Sequence, residues 1–358
     1  MNHFHQIAEK LDAYQLDGML LTCEANRFYA TGFHSIGTDG VALVTKNKNY
    51  YFTDSRYIEA AHNAVQDAEI QQMDRVRNYN VLIEEAVKAC GIKKLGFEDG
   101  YMTVADCEGY RKALSCELVP GTQLLLDLRS AKDDEEIENL IAAQRIAEHA
   151  LEDLLKEIRV GVTEKELAAR LTYLMLHYGA ENMSFDPIVI SGAKTSLPHG
   201  VPSEKKIEDG DFVTMDFGCI YHGYCSDMTR TVAVGHATEE MKKVYFTVLE
   251  AQKAGIAAAH AGMKGKEVDG AARKVIADAG YGEYFGHSFG HGVGVEIHEY
   301  PTATPSTETV LPVNAVISAE PGIYLPGKFG VRIEDVIIMK DGGCLDITKS
   351  PKEELMIL

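Results

Sequence analysis

Three stretches of this chain gather carboxylates and imidazoles in ways that suit cation chemistry. The first, Asp211 to Val234, reads DFVTMDFGCIYHGYCSDMTRTVAV, two β-rich runs around a turn-like YHG. Such a pattern predicts a hairpin. A turn at Tyr221 and His222 sets Asp216 directly opposite Asp227, and a turn shifted by one residue leaves them diagonal neighbours on one face. Two bare carboxylates so placed repel, and one would have to take up a proton unless a cation lies between them. Asp is otherwise unwelcome inside strands, although either acid taken alone also suits the surface or a turn.

The second stretch, Phe285 to Pro301, is FGHSFGHGVGVEIHEYP and carries His287, His291 and His298. His287 and His291 stand four apart, the spacing of a helical zinc site. Gly286, Gly290, Gly292 and Gly294 exclude that helix and instead let the backbone pass close to a crowded site. The third stretch, Val316 to Val336, is VISAEPGIYLPGKFGVRIEDV. Glu320 ends one strand-like run and Glu334 sits within another, with a Pro/Gly-rich loop between. Arg332 lies two positions before Glu334, on the same face of a strand, so an Arg–Glu pair is the alternative to a metal role there. Together, Asp216, Asp227, Glu320 and Glu334 would balance two divalent cations, and a neutral imidazole adds a nitrogen ligand without charge. An oxygen-rich set with one His and no thiolate favours Mn2+, Co2+ or Fe2+ over a structural zinc site. Mn2+ is the first expectation, with Co2+, Fe2+ or Zn2+ as alternatives.

These residues need strands to aim them and helices to back the strands. Up to about Pro120, short apolar runs (Gly18 to Thr22, Gly40 to Thr45, Tyr50 to Thr53) alternate with helix-like stretches at Tyr57 to Gln66 and Val81 to Cys90. That alternation predicts a small α/β domain. From Asp133 to Ile158, apolar residues recur at helical spacing behind an acidic start, which suits the positive end of a helix dipole. The domain boundary is placed just before it, near Leu124 to Arg129. A second helix is predicted from Thr163 to Tyr178, opened by a Thr163/Glu166 capping box. Helices at Glu239 to Ala261 and Gly265 to Ala279 interrupt the later strands. Helix pairs thus precede strand groups at both 133–234 and 239–340, a weak internal echo.

Composition narrows the class. Of the 358 residues, 46% are hydrophobic and 25% charged, as in ordinary globular proteins. The formal net charge of −19 opposes phosphate backbones and anionic lipid, so neither nucleic acid nor membrane is an expected partner. Seven scattered Cys with no CxxC pair fit a reducing compartment. The opening MNHFHQIAEKLDAY has no apolar signal-peptide core, and no apolar run approaches the ~20 residues that span a bilayer. A soluble, cytoplasmic protein is expected.

The motifs PHGVPS (Pro198 to Ser203), GDFVTMDFG, GYCSDMTRT, GHGVGVEIHEYP, EPGIY and GVRIED resemble, in order and spacing, those of the pita-bread metallopeptidases. The similarity is closest to the aminopeptidase P and prolidase branch, particularly its short bacterial Xaa-Pro peptidases. NRFYATGF (Asn26 to Phe33) and TDSRY (Thr53 to Tyr57) look like that branch's N-terminal domain. The resemblance implies an α/β (α+β) chain: a creatinase/prolidase-like domain at 1–124, then a pita-bread catalytic domain of two related halves at 125–358. It implies that Asp216, Asp227, His291, Glu320 and Glu334 are the metal ligands, with Asp227 and Glu334 shared by both ions. His199 and His298 would face the substrate, while His287 and Arg332 would stand behind the ligands or touch the substrate, Arg332 close to the metals. A homodimer is common in the family.

The activity implied is hydrolysis of Xaa-Pro bonds at peptide N-termini or in dipeptides, so proline-containing peptides are the expected partners. Glu320 would move the proton of the attacking water, and His199 or His298 would stabilise the oxyanion. An Xaa-Pro amide lacks N–H, so peptidases that grip that group are handicapped. Two alternatives remain open: methionyl or another aminopeptidase specificity, and a non-catalytic peptide-binding member of the fold. Creatinase shares the fold without the metal set, and the full ligand complement counts against its activity.

Overall fold

The computed structural model describes residues 2–358. The chain divides into two compact units, the first ending at Arg129 and the second running from Ser130 to Leu358. In the first unit, β1 (Gly18–Leu21), β2 (Gly40–Thr45) and β3 (Tyr50–Thr53) coincide with the apolar runs of the sequence. Every residue of these three strands is buried, so both sheet faces are covered. Their near-continuous apolar character follows from that double burial. Three further strands, β4 (Glu69–Gln72), β5 (Lys94–Phe97) and β6 (Glu117–Pro120), complete a sheet of order β4-β3-β2-β1-β5-β6. β4 and β6 are the edges, and their half-exposed EIQQ and ELVP lack the buried signature that makes central strands legible. The helix Tyr79–Cys90 begins two residues before the predicted Val81, because the Asn78 side chain accepts the Val81 N–H as its N-cap.

In the second unit the helix Asp134–Leu154 starts at a capping box formed by Asp133 and Glu136. The helix Glu164–His177 starts at the predicted Thr163/Glu166 box. They back strands β7 (Asn182–Met183), β8 (Ile188–Ser191), β9 (Phe212–Phe217), β10 (Cys219–Tyr221), β11 (Tyr224–Cys225) and β12 (Met228–Ala233). Leu151, Leu154, Leu171, Val213, Met215 and Phe217 share their core. The helices Glu239–Ala258 and Gly265–Asp278 repeat the arrangement behind β13 (Gly290–Gly292), β14 (Glu299–Ala303), β15 (Val316–Ala319), β16 (Gly322–Leu325), β17 (Phe329–Arg332), β18 (Asp335–Lys340) and β19 (Gly343–Asp346). The weak echo in the sequence is therefore a repeat of architecture: a helix pair, then a sheet (β12-β9-β8, or β14-β13-β15-β18-β19), with a short hairpin (β10–β11, or β16–β17) inserted in each. The two halves meet where Thr229 and Glu334 form a β-bridge.

The first hairpin departs from the simplest expectation. Its turn lies at His222 and Gly223, both at positive φ (46° and 76°), as a type I′ turn requires. Pairing therefore sets Asp216 against Thr229, and Asp227 is a diagonal neighbour of Asp216 instead of its direct partner. Asp216, Asp227 and Thr229 still share one face, because 227 and 229 are two apart on their strand. At Gly218 a Cβ would come within 1.9 Å of the Ser226 carbonyl oxygen, so only glycine lets the strands close beneath Asp227. The Pro/Gly-rich connection between Glu320 and Glu334 is likewise no loop but the β16–β17 hairpin.

Candidate metal centre

Each of the nine residues singled out above lines one cavity of about 470 Å3: Asp216, Asp227, His291, Glu320, Glu334, His199, His287, His298 and Arg332. Asp216 is in β9, Asp227 immediately precedes β12, His291 is the middle residue of β13, Glu320 follows β15 and Glu334 precedes β18. Acids at strand ends are held by the ladder on one side and are free to reach a ligand on the other. Gly290 and Gly292 explain how β13 fits between its neighbours. A Cβ at Gly290 would lie 2.0 Å from the Ser318 carbonyl oxygen, and one at Gly292 would lie 2.4 Å from that of Glu299.

His291 reveals the electrostatics. Its Nδ1 lies 3.1 Å from the Gly292 carbonyl oxygen, which can only accept, so Nδ1 carries the proton and Nε2 is bare. That bare Nε2 stands 3.6 Å from Asp227 Oδ2 and 3.4 Å from Glu320 Oε1. A lone pair aimed at two carboxylates is repulsive unless a cation, or a proton taken up by one of the acids, lies among them. Asp227, His291 and Glu334 each offer one ligand atom, all within 4.8 Å of one another. Burial, then neighbouring acids, push the Asp227 and Glu334 carboxyls well above the usual carboxylate range. Burial pushes Glu320 up to about 8 against the opposing pull of Arg332. Ser318 fixes its orientation: Oγ accepts the His291 N–H at 3.1 Å and donates to Glu320 Oε1 at 3.2 Å. Thr229 Oγ1 donates to Glu334 Oε2 at 2.7 Å. The donor set, four carboxylates and one bare imidazole nitrogen, fits divalent cations.

Arg332 does not take the pairing with Glu334 that its sequence position suggests. The chain turns out of β17 after Arg332, and the guanidinium instead pairs with Asp216. Its Nε donates to Thr229 Oγ1 at 3.0 Å and its Nη1 to Tyr324 OH at 2.8 Å. Tyr324 was invisible as a site residue in the sequence; it gains its place from the β16–β17 hairpin. Its hydroxyl lies 2.8 Å from His287 Nε2, while His287 Nδ1 faces the Ser288 carbonyl oxygen at 2.9 Å. Nδ1 must therefore donate and Nε2 accept, which orders the chain as Arg332 to Tyr324 to His287. Burial and then Arg332 lower His287 to about 4, so it stays neutral in this role. Tyr324→Phe leaves His287 Nε2 without its donor. We expect a cost of about 1–3 kcal/mol in folding stability, read as an earlier urea midpoint; an unmoved midpoint would break the chain as drawn.

His199 and His298 are both exposed at the cavity, and the His298 ring lies edge-on to His291 with centroids 4.2 Å apart. Phe185, Ile188 and Ile297 give the cavity an apolar wall that the sequence does not mark, since single apolar residues carry no chemical signal.

Residues 138–341 match the model of metallopeptidase family M24, and residues 4–131 match the creatinase/prolidase N-terminal domain. An Xaa-Pro dipeptidase of Pyrococcus horikoshii is 37% identical over 348 residues, covering 97% of each chain. The solved structure of an Xaa-Pro dipeptidase from Bacillus anthracis superposes with a TM-score of 0.94 at 45% identity, covering 99% of each chain. That of an X-Pro aminopeptidase from Thermotoga maritima MSB8 gives 0.93 at 36% identity, covering 100% of each. The two-unit α/β architecture and the pita-bread fold are those of these proteins. This chain belongs to metallopeptidase family M24, in its prolidase-like, pita-bread branch.

Proposed function

We propose that this protein is a two-metal exopeptidase that hydrolyses Xaa-Pro bonds. The observation that carries the reading is the bare His291 Nε2 facing the Asp227 and Glu320 carboxylates at 3.6 and 3.4 Å. Asp216, Asp227, His291, Glu320 and Glu334 would hold two divalent cations, Mn2+ first among the candidates. When bound, such a pair polarises a carbonyl oxygen and makes water nucleophilic near neutral pH.

The chain's own groups do the rest. Glu320, oriented by Ser318, takes the proton from the attacking water and delivers it to the departing prolyl nitrogen. His199 and His298 meet the developing oxyanion from the cavity mouth. Phe185, Ile188 and Ile297 provide an apolar wall against which a pyrrolidine ring can lie. The Arg332–Tyr324–His287 chain fixes Asp216 from behind. Relatives described as Xaa-Pro dipeptidase and X-Pro aminopeptidase support the proline specificity and leave peptide length as the variable to measure.

The test is turnover of Gly-Pro, Arg-Pro-Pro and Met-Ala-Ser by protein stripped with a chelator and then resupplied with Mn2+. Stripping should remove hydrolysis and Mn2+ should restore it, with both proline peptides cleaved faster than Met-Ala-Ser. Activity indifferent to chelation would sink the metal assignment. Faster cleavage of Met-Ala-Ser would sink the proline assignment in favour of methionine removal.

A further inference from the structure

The match to the peptidase family ends at residue 341, yet the segment after β19 is tied to the metal centre by a set of buried bonds. Thr348 is 6% exposed, and its Oγ1 accepts the Gln144 side-chain N–H at 3.1 Å and the Val336 N–H at 3.0 Å. Gln144, fully buried in the helix Asp134–Leu154, uses its other side-chain atom, Oε1, to accept the Asp227 backbone N–H at 3.3 Å. Because Nε2 must donate to Thr348 and Oε1 must accept from Asp227, the amide has one orientation only.

A second path reaches Glu334. The Ser350 carbonyl accepts from Arg230 Nη2 at 2.8 Å. The same guanidinium donates through Nη1 to the Thr229 carbonyl at 2.9 Å and the Glu334 carbonyl at 2.6 Å. It also pairs through Nη2 with Asp335 Oδ1 at 2.7 Å, and Lys352 pairs with the other oxygen of that carboxylate. The segment is anchored at both ends. Glu148 accepts the Lys349 and Ser350 N–H groups, and Ala233 exchanges backbone bonds with Met356 and Leu358, each at 2.9 Å.

We propose that residues Ile347 to Leu358 form a strap that positions the Asp227 and Glu334 carboxylates for their cations, through Thr348–Gln144 and through Ser350–Arg230. The proposal rests on the two-metal reading above. Thr348, Gln144 and Arg230 are positioning residues: none lines the cavity. The strap crosses from β12 to β18, so it holds one carboxylate-bearing segment of each half in register. Carboxylates that must converge on one site gain affinity when their backbones are fixed beforehand, and losing such outer support typically costs 10–100-fold in metal affinity.

Chelator-stripped parent, Thr348→Val, Thr348→Ser and Thr163→Ala are titrated with Mn2+ by calorimetry, with Gly-Pro hydrolysis followed at limiting and saturating Mn2+. Thr348→Val keeps the side-chain volume and removes the hydroxyl; it should bind Mn2+ about tenfold more weakly. Excess metal should then restore its activity. Thr348→Ser retains the hydroxyl and should bind as the parent does. Thr163→Ala removes a helix cap that takes no part in lining the cavity, so it lowers stability and should leave Mn2+ affinity unchanged. Parent-like affinity in Thr348→Val, or an equal loss in Thr163→Ala, overturns the strap and leaves the two-metal reading standing. A parent that binds no divalent cation overturns both.

Discussion

Asp227→Asn should lower Xaa-Pro hydrolysis by on the order of 10^3 or more and empty the site of at least one cation. Asp227 is 3% exposed and faces His291 Nε2 at 3.6 Å, so its carboxylate is committed to the donor cluster. Asn keeps the shape but withdraws one of the four negative charges that balance two divalent ions. It also turns an N–H2 donor toward the cluster. Several kcal/mol of transition-state stabilisation then disappear, and each factor of ten in rate corresponds to about 1.4 kcal/mol. The fold should survive, because the backbone N–H of residue 227 still reaches Gln144. Metal content, circular dichroism and kcat/KM on Gly-Pro together decide. A variant with two bound cations and parent-like turnover would remove Asp227 from the proposed ligand set.

That Asp227 could be nominated before any coordinates follows from a conflict of types. Acids inside apolar strand patterns need a reason, and four such acids with glycine-flanked histidines share one. The register was harder to read. HG at His222–Gly223 is a type I′ signal of the Asn-Gly kind, but a turn at Tyr221–His222 also fits the pattern, and a one-residue shift separates the two pairings. The alternation of strand faces kept Asp216 and Asp227 together under either one.

Other features depend on three-dimensional closure and left no local trace. Arg332 shares strand parity with Glu334, yet the chain turns between β17 and β18 and sends the guanidinium to Asp216. Tyr324 belongs to the site only because β16 pairs with β17, placing its hydroxyl between Arg332 and His287. Thr348 and Gln144 are 204 positions apart, and nothing in either neighbourhood marks them as partners. Residue type thus reveals groups that are costly to bury, while the neutral groups that orient them are legible only in the fold.

The same burial costs set a pH dependence that the metal should erase. In the metal-free protein the Asp227, Glu320 and Glu334 carboxyls are raised by burial, Glu320 to about 8 from 4.5. A raised acid binds more protons folded than unfolded, so its stabilising proton is lost as pH climbs toward its folded value. Stability then falls by about 1.4 kcal/mol per pH unit for each such group. His287 and His291 act with the opposite sign, being lowered from 6.5 by burial, so they favour folding as pH rises to 6.5 and add no further slope above it. The decisive window is therefore pH 6.5 to 8, where the carboxyls act without opposition from these histidines. Metal-free parent should lose Tm steadily across it, and Mn2+ should abolish the slope by compensating the charges. Glu320→Gln removes the group nearest that window. Its metal-free form should be flatter with pH and more stable than the parent at pH 8, by on the order of a few kcal/mol. The loaded variant should nevertheless lose about 10^2–10^4-fold in kcat, since no base remains at that position. A metal-free parent whose Tm is constant or rises from pH 6.5 to 8 would show that these carboxyls do not carry the protons assigned to them. The residue that weakens the empty site would then not be the one that makes the filled site work.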